Sequence, residues 1–216
     1  MGLLDRLAPR KSDSDVRPQG STSGAADDPV FATKALHKFL QTLTSRELPI
    51  LLDLGPVVGS NVSFFGEQLG CKIFVEDIFA DLDRHIREGR LEQLPEFLKK
   101  RLPQTDGNVD GVLCWDLFDY LDRPAAQELA NQLTRVLRPD GALLGFFGSA
   151  PPQGAHYTKF IIVDDVNLKY RSYPAARGRQ TILPNRDIIR LFPGLRVSDS
   201  FLLKNNLRET LFRKPA

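Results

Sequence analysis

The sequence is poor in the residues that cross-link a protein or bind a metal. Only two cysteines, Cys71 and Cys114, occur in 216 residues, and they lie far apart. This excludes a disulfide framework and favours a cytoplasmic protein with both thiols reduced. The three histidines are isolated and the cysteines are not paired in sequence, so no metal site is predicted.

Long apolar runs and a strong charge imbalance are also missing. No apolar segment reaches the roughly 20 residues that cross a bilayer, and the first residues lack the apolar centre of a signal peptide. The formal net charge of +2 favours neither nucleic acid nor an anionic membrane as a partner. With 42% hydrophobic and 26% charged residues, the composition is that of an ordinary globular domain.

Residues 1–28 form a polar leader that we predict to be disordered. Residues 11–28 are rich in serine and glycine and show no hydrophobic periodicity. The rest of the chain, residues 29–216, is long enough to bury a sizeable core. We therefore predict one α/β domain after the leader.

Strand-like and helix-like patterns alternate through the middle of the chain. The predicted strands cover 50–54, 72–75, 111–115 and 142–147, and the predicted helices cover 61–69, 80–87, 91–102 and 125–137. Strands separated by helices indicate parallel βαβ units, and their continuous apolar character indicates coverage on both faces. The last third predicts a strand or bent strand pair over 160–173. It also predicts a closing hairpin, whose strands 197–203 and 209–213 flank a turn at 204–206.

The segment 51–61 carries the most informative motif. An apolar strand ends in Asp53, and Gly55 and Gly59 then bracket a tight turn before a helix that begins near Val62. In α/β folds a strand, a glycine turn and a helix start hold nucleotide-like ligands, because the turn leaves room and the free helix amides donate hydrogen bonds. The motif predicts a small-molecule cofactor.

From residue 49 to residue 148 the sequence resembles the class I S-adenosylmethionine-dependent methyltransferases. Three segments carry the resemblance, namely the glycine turn with its acid, the stretch 110–121, and the turn into a strand at 136–144. The resemblance implies a Rossmann-like sheet of seven mostly parallel strands, with helices on both faces and an antiparallel C-terminal strand. It further implies S-adenosylmethionine as cofactor and an enzyme that methylates an unidentified small-molecule or protein substrate.

The same resemblance implies a set of cofactor-binding residues. Asp53, Gly55 and Gly59 match the acid, the first glycine and the third glycine of the family's first motif, which surround the methionine part of the cofactor. Val57 stands in place of the second glycine, where its side chain either points away from the ligand or narrows the site. Glu76 or Asp77 matches the acid that accepts hydrogen bonds from the ribose hydroxyls, a task that suits the two oxygens of a carboxylate.

Residues just past the fourth strand of the family face the transferred methyl group. This implies that Trp115 and Asp116 line the pocket, and it makes Cys114, Asp119 and Tyr120 further candidates. If the reaction requires a base, Asp116, Asp119 or His156 is the candidate. No catalytic triad is expected, because methyl transfer depends mainly on orientation and the reactive group belongs to the cofactor.

The sequence departs from the family between residues 77 and 106. A third apolar strand is expected there, but the pattern is that of charged helices. Either the strand is lost or helices replace it, so no adenine-contacting residue is assigned.

Several functions stay open on the sequence alone. The leading hypothesis is a methyltransferase, and the alternative is a catalytically inactive methyltransferase-like domain that serves as a protein-binding or scaffold module. Val57 and the missing third strand favour the alternative. A nicotinamide-dependent reductase fits the acid after the second strand but not the glycine spacing. The basic and aromatic stretch 169–179 could suit RNA or an acidic partner, but such a pattern is more typical of a solvated strand face and loop.

Overall fold

A computed structural model describes residues 28–150, 154–180 and 182–216. The strands are β1 (Val30–Ala32), β2 (Ile50–Asp53), β3 (Lys72–Val75), β4 (Val109–Trp115), β5 (Leu137–Gly148), β6 (His156–Ile162), β7 (Asn167–Pro174), β8 (Arg196–Leu202) and β9 (Leu207–Arg213). The helices are α1 (Ala35–Thr44), α2 (Gly59–Ser63), α3 (Ile78–Arg87), α4 (Leu94–Arg101), α5 (Arg123–Val136) and α6 (Asn185–Leu191). The leader predicted to be disordered lies outside the described residues, apart from Asp28.

The central sheet has six strands in the order β3-β2-β4-β5-β9-β8. The pairs among β3, β2, β4 and β5 are parallel, whereas β9 pairs antiparallel with both β5 and β8. The predicted Rossmann-like α/β class, mostly parallel with an antiparallel C-terminal strand, is confirmed. The predicted closing hairpin is also confirmed, and Asn206 in its turn has a φ of 59°, a left-handed conformation that asparagine tolerates.

The predicted count of seven strands is wrong, because the expected third strand is absent from the described sheet. The chain between β3 and β4 forms α3, a short 3₁₀ turn and α4 instead. Local chemistry explains the helix: Pro95 lies in the first turn of α4, where its missing N–H costs nothing, and Lys99, Lys100 and Arg101 lie in the last turn, where cations favour the helix dipole. Of the two alternatives, helices replace the strand, and β3 becomes an edge of the sheet.

The core lies on both faces of the central sheet. Leu52, Val112 and Leu143 belong to the cluster packed against α3, α4 and α5. Their neighbours Leu51 and Leu113 belong to the cluster on the opposite face, packed against α1. Side chains of a strand alternate between the faces, so these continuous apolar runs supply both clusters at once.

A second, smaller sheet of three antiparallel strands, β1-β7-β6, lies against the central one. It contains the predicted bent strand pair, now seen as a regular hairpin of β6 and β7. The buried side chain of Asn61 in α2 fastens this sheet to the glycine turn. Its amide donates to the carbonyl of Phe160 at 2.8 Å, and its oxygen accepts from the amide of Ile162 at 2.8 Å. The hairpin therefore covers the region beside the carboxyl ends of the parallel strands.

Carboxylates accept hydrogen bonds from the first amides of two helices. Glu209 on β9 accepts hydrogen bonds from the amides of Lys34 and Ala35 at 2.8 and 2.9 Å, which satisfies two free donors at the start of α1. Asp122 caps α5 by accepting from the amide of Ala125 at 3.0 Å. None of the helices in the described parts of the chain combines the length and the apolar character needed to cross a membrane.

Candidate functional site

Three neighbouring parallel strands end at one edge of the central sheet, and an acid stands at each end. Asp53 closes β2, Glu76 follows β3, and Asp116 follows β4. The register places Asp53 beside Val75 on one side and beside Leu113 on the other. Open α/β sheets bind ligands in the crevice outside such carboxyl ends. The edge is therefore the candidate functional site.

Asp53 is held inside the protein by two hydrogen bonds. Its Oδ1 accepts from the amide of Gly55 at 2.9 Å and from the indole Nε1 of Trp115 at 2.6 Å. Burial raises the pKa of this carboxyl to about 6, although both hydrogen bonds act in the opposite direction. The predicted acid of the glycine motif thus supports the turn itself.

Trp115 turns back over the glycine loop at the end of β4. Its φ of 50° is left-handed, an uncommon conformation for a bulky side chain. The indole packs against both Phe146 and Phe160, with ring centroids 5.9 and 5.2 Å away and nearly parallel planes. Aromatic stacking and the hydrogen bond to Asp53 together stabilise this conformation.

The two glycines of the turn differ in their surroundings. A Cβ on Gly55 would lie 2.6 Å from Cδ1 of Trp115, so only glycine allows the indole to approach here. A Cβ on Gly59 would meet nothing within 4 Å. Val57 lies between them and is 64% exposed. The side chain of Val57 is therefore not packed inside the turn.

The two candidate acids after β3 have different partners. Both carboxylate oxygens of Glu76 accept hydrogen bonds, one from Arg101 at the end of α4 and the other from Gln104 at 3.1 Å. Asp77 instead caps α3, where its Oδ1 accepts from the amide of Ala80 at 3.0 Å. Glu76 is therefore the acid that contacts the helical segment found in place of the third strand. The side chain of Asp77 instead caps the helix α3.

The loop after β4 buries two further carboxylates. Asp116 and Asp119 are fully buried, and the guanidinium of Arg179 lies 2.8 Å from Oδ2 of Asp116 and 3.6 Å from Oδ2 of Asp119. Burial raises the pKa of both acids, that of Asp119 to about 7, although Arg179 opposes the shift. The hydroxyl of Tyr120 donates towards Asp116 at 3.3 Å and also reaches the backbone carbonyl of His156 at 3.0 Å. Neither carboxylate is in contact with solvent.

The remaining candidates lie at the border of this arrangement. Cys114 is buried in the sheet, and burial raises the pKa of its thiol, which makes it an unreactive core residue. His156 begins β6 instead of lying in a loop, and its side chain lines an open groove beside Arg179. The structure brings Asp53, Glu76, Trp115 and Asp116 to one edge, with His156 on the outer side of Arg179.

Sequence reasoning missed the two arginines that pair with these acids. Arg101 appears in the sequence as one of several charges at the end of a helix. Arg179 belongs to the stretch interpreted as RNA-binding or solvated, yet its side chain is only 21% exposed. No local signal marks either residue, because both partners lie far away in sequence.

A parallel sheet with a glycine turn and acids at its carboxyl edge defines a Rossmann-like α/β domain built to bind a small ligand. Residues 52–145 match the family model described as a methyltransferase domain. This match lies within the segment whose sequence resembles the class I S-adenosylmethionine-dependent methyltransferases, and it confirms that resemblance over these residues.

Similar proteins are found by sequence and by structure. The probable biofilm formation methyltransferase WspC of Pseudomonas aeruginosa is 35% identical over 107 residues, which cover 44% of this chain and 22% of that protein. The chain thus spans about a fifth of the length of this curated relative. The CcbJ methyltransferase of Streptomyces caelestis is 12% identical, with a TM-score of 0.50 over 83% of this chain and 95% of its own, a likeness of fold alone. The 1,6-didemethyltoxoflavin-N1-methyltransferase of Burkholderia thailandensis, solved with S-adenosylhomocysteine, is 16% identical, with a TM-score of 0.49 over 85% of this chain and 78% of its own.

Proposed function

We propose that this chain is an S-adenosylmethionine-dependent methyltransferase that acts on a small-molecule or protein substrate. One observation carries the proposal: Asp53, Glu76 and Asp116 stand at the ends of three adjacent parallel strands, beside the turn from Gly55 to Gly59. This is the place where α/β sheets receive nucleotide-like ligands. The match of residues 52–145 to the methyltransferase-domain family supports cofactor binding at this edge of the sheet.

The residue types at the edge fit the polar groups of the cofactor. The carboxylate of Glu76 suits the two ribose hydroxyls, and Asp53 with the glycine turn suits the amino acid end. The bound cofactor would supply an activated methyl group on a sulfonium. The chain's own task is then to orient the acceptor and to exclude water from the edge.

Two sets of internal contacts must be broken before Asp53 and Glu76 can bind a ligand. The indole of Trp115 lies against Gly55 and holds Asp53, and Arg101 with Gln104 holds both oxygens of Glu76. Val57 is exposed and takes no part in these contacts. Arg101 lies at the end of a helix with its side chain 24% exposed, so it can leave Glu76 without disturbing the core.

The same contacts favour a second candidate function, a protein-binding or scaffold module that has given up the cofactor. In that case Trp115 and Arg101 fill the site permanently and stabilise the fold. The two candidate functions differ in what they require of Trp115. In the enzyme its indole must move away from Gly55 when the cofactor binds, whereas in the scaffold it stays in place.

Calorimetric titration with S-adenosylmethionine and S-adenosylhomocysteine separates the two candidates. For the enzyme we expect saturable binding that Glu76→Ala abolishes and that Glu47→Ala, a change at an exposed acid, leaves intact. Absence of heat at millimolar cofactor with folded wild-type protein would overturn the enzymatic proposal. Binding that appears only in Trp115→Ala would assign the scaffold function and identify the residue that closed the site.

The proposal includes a cytoplasmic location and one domain over residues 29–216. Both described cysteines are free thiols, which suits a reducing compartment. The chemical class of the methyl acceptor depends on the residues around Asp116.

A further inference from the structure

A buried recess that suits a cation follows the fourth strand. Its walls are the carboxylates of Asp116 and Asp119 and the ring of Tyr120. The guanidinium of Arg179 fills it, 2.8 Å from Asp116, 3.6 Å from Asp119 and 5.9 Å from the centroid of the Tyr120 ring. Carboxylates together with an aromatic face are the groups that bind ammonium and guanidinium ions.

The recess offers more acceptors than Arg179 satisfies. Oδ1 of Asp116 and Oδ1 of Asp119 are buried and have no hydrogen-bond partner in the described part of the chain. Two carboxylates face one guanidinium, so ionisation of Asp119, whose pKa burial raises to about 7, leaves one negative charge without a partner. Buried polar atoms are nearly always paired in native proteins, and unpaired ones indicate a missing partner or a functional role.

Arg179 enters the recess from outside the core. It lies in the segment 175–180, which follows β7 and contains no helix or strand. The amide of Ala175 donates to the carbonyl of Ala155 at 3.4 Å. Two anchors then flank Arg179: the amide of Ala176 donates to the carboxylate of Asp83 at 2.8 Å, and the amide of Gln180 donates to the carbonyl of Asp119 at 2.7 Å. The side chain between them can swing out while both anchors remain.

An open groove of about 440 Å³ leads to Arg179 from the solvent side. His156, Tyr170 and Asn205 line it with Arg179, and the hydroxyl of Tyr170 and the amide nitrogen of Asn205 are buried without a hydrogen-bond partner among the described residues. A ligand in this groove meets the guanidinium first, and the two carboxylates lie directly behind it.

We propose that the recess of Asp116, Asp119 and Tyr120 binds a positively charged ammonium or guanidinium group that holds the methyl acceptor in place, and that Arg179 occupies the recess until this group displaces it. This inference rests on the proposed function and names the substrate class of that site. Asp116 directly follows Trp115, so the recess adjoins the edge proposed for the cofactor. The groove gives the acceptor its path from solvent.

The test uses a matched pair of probes, the cation butylguanidinium and its neutral isostere butylurea. We expect wild-type protein to bind butylguanidinium saturably in calorimetry at pH 7.5, and to show no binding of butylurea. Arg179→Ala is expected to bind the cation at least tenfold more tightly, since the internal competitor is gone. Arg190→Ala, a change at an exposed arginine of α6, is the control and is expected to bind like the wild type.

Asp119→Asn in the wild-type background is expected to weaken cation binding about tenfold, while circular dichroism confirms its fold. Two results would overturn the inference. One is a wild-type protein that does not distinguish the cation from the urea. The other is cation binding in Arg179→Ala alone, which would make Arg179 a fixed structural ion pair. No S-adenosylmethionine is present in these titrations, so failure of the cofactor proposal and failure of this one give different results.

Discussion

Replacing Asp53 by asparagine is expected to change how folding stability depends on pH. Asp53 is a buried acid that has no salt bridge with any residue the structure describes, and its only strong support comes from the Gly55 amide and the Trp115 indole. Burial raises its pKa from the usual 3.8 to about 6. Asparagine keeps an oxygen for both hydrogen bonds and cannot ionise, so it isolates the effect of the charge.

The magnitude follows from the two pKa values. An unfolded chain loses this proton near pH 3.8, whereas the folded protein retains it up to about pH 6. The folded state therefore binds more protons within this window, and its stability falls as the pH rises through it and is constant above it. At roughly 1.4 kcal/mol per pH unit, the loss amounts to about 3 kcal/mol.

Urea unfolding at pH 4.0 and pH 7.5 measures the effect as a difference between the proteins. Other carboxyl groups titrate in the same range, but they do so in the wild type and in Asp53→Asn alike. We expect the free energy of unfolding of the variant, relative to the wild type, to rise by about 2.5 kcal/mol between the two pH values, slightly less than the full amount because pH 4.0 lies just above the unfolded pKa. Glu47→Gln, at an exposed acid, should give no such change. Equal pH dependence of Asp53→Asn and the wild type would refute the argument from burial.

Three further changes test other contacts of the structure. Glu209→Gln removes a buried charge from the first amides of α1 and is expected to cost about 1 kcal/mol in chemical unfolding; an unchanged midpoint would show that the charge does not support the helix. Gly55→Ala is expected to cost about 1–3 kcal/mol, because the added Cβ lies 2.6 Å from Trp115, whereas Gly59→Ala, which meets nothing within 4 Å, should change stability by less than about 0.5 kcal/mol. Equal costs for the two glycines would contradict the close indole contact. Both cysteines are buried, and burial raises the pKa of Cys71 to about 11, so we expect no alkylation by iodoacetamide at pH 8 until urea unfolds the protein; rapid labelling of the folded chain would show that a thiol is accessible.

The succession of strands and helices was predictable because it depends on local patterns. Continuous apolar runs specify buried parallel strands. Helix starts are also local: α5 begins after Asp122 with Pro124 in its first turn, and α3 begins after Asp77. Neither start needs a distant partner. The hairpin turn at Asn206 is equally local. The count of strands was not predictable from the family pattern, since the helix formers of α4 override the strand expected there.

The candidate site was predictable in its location and not in its contacts. An acid at the end of an apolar strand lies at the carboxyl edge of the sheet in any parallel fold, so the positions of Asp53, Glu76 and Asp116 follow from the sequence. Their partners do not, because Arg101 and Arg179 reach them from other parts of the chain.

By itself, the sequence determined the α/β architecture, the glycine turn and the row of acids, because each depends on residues within one strand and its loop. Only the tertiary structure decided that Val57 is exposed, that the Trp115 indole packs on Gly55, and that arginines pair with Glu76 and Asp116. Those contacts join segments separated by many residues. Their energies come from burial and charge pairing in the assembled fold, which no local pattern records.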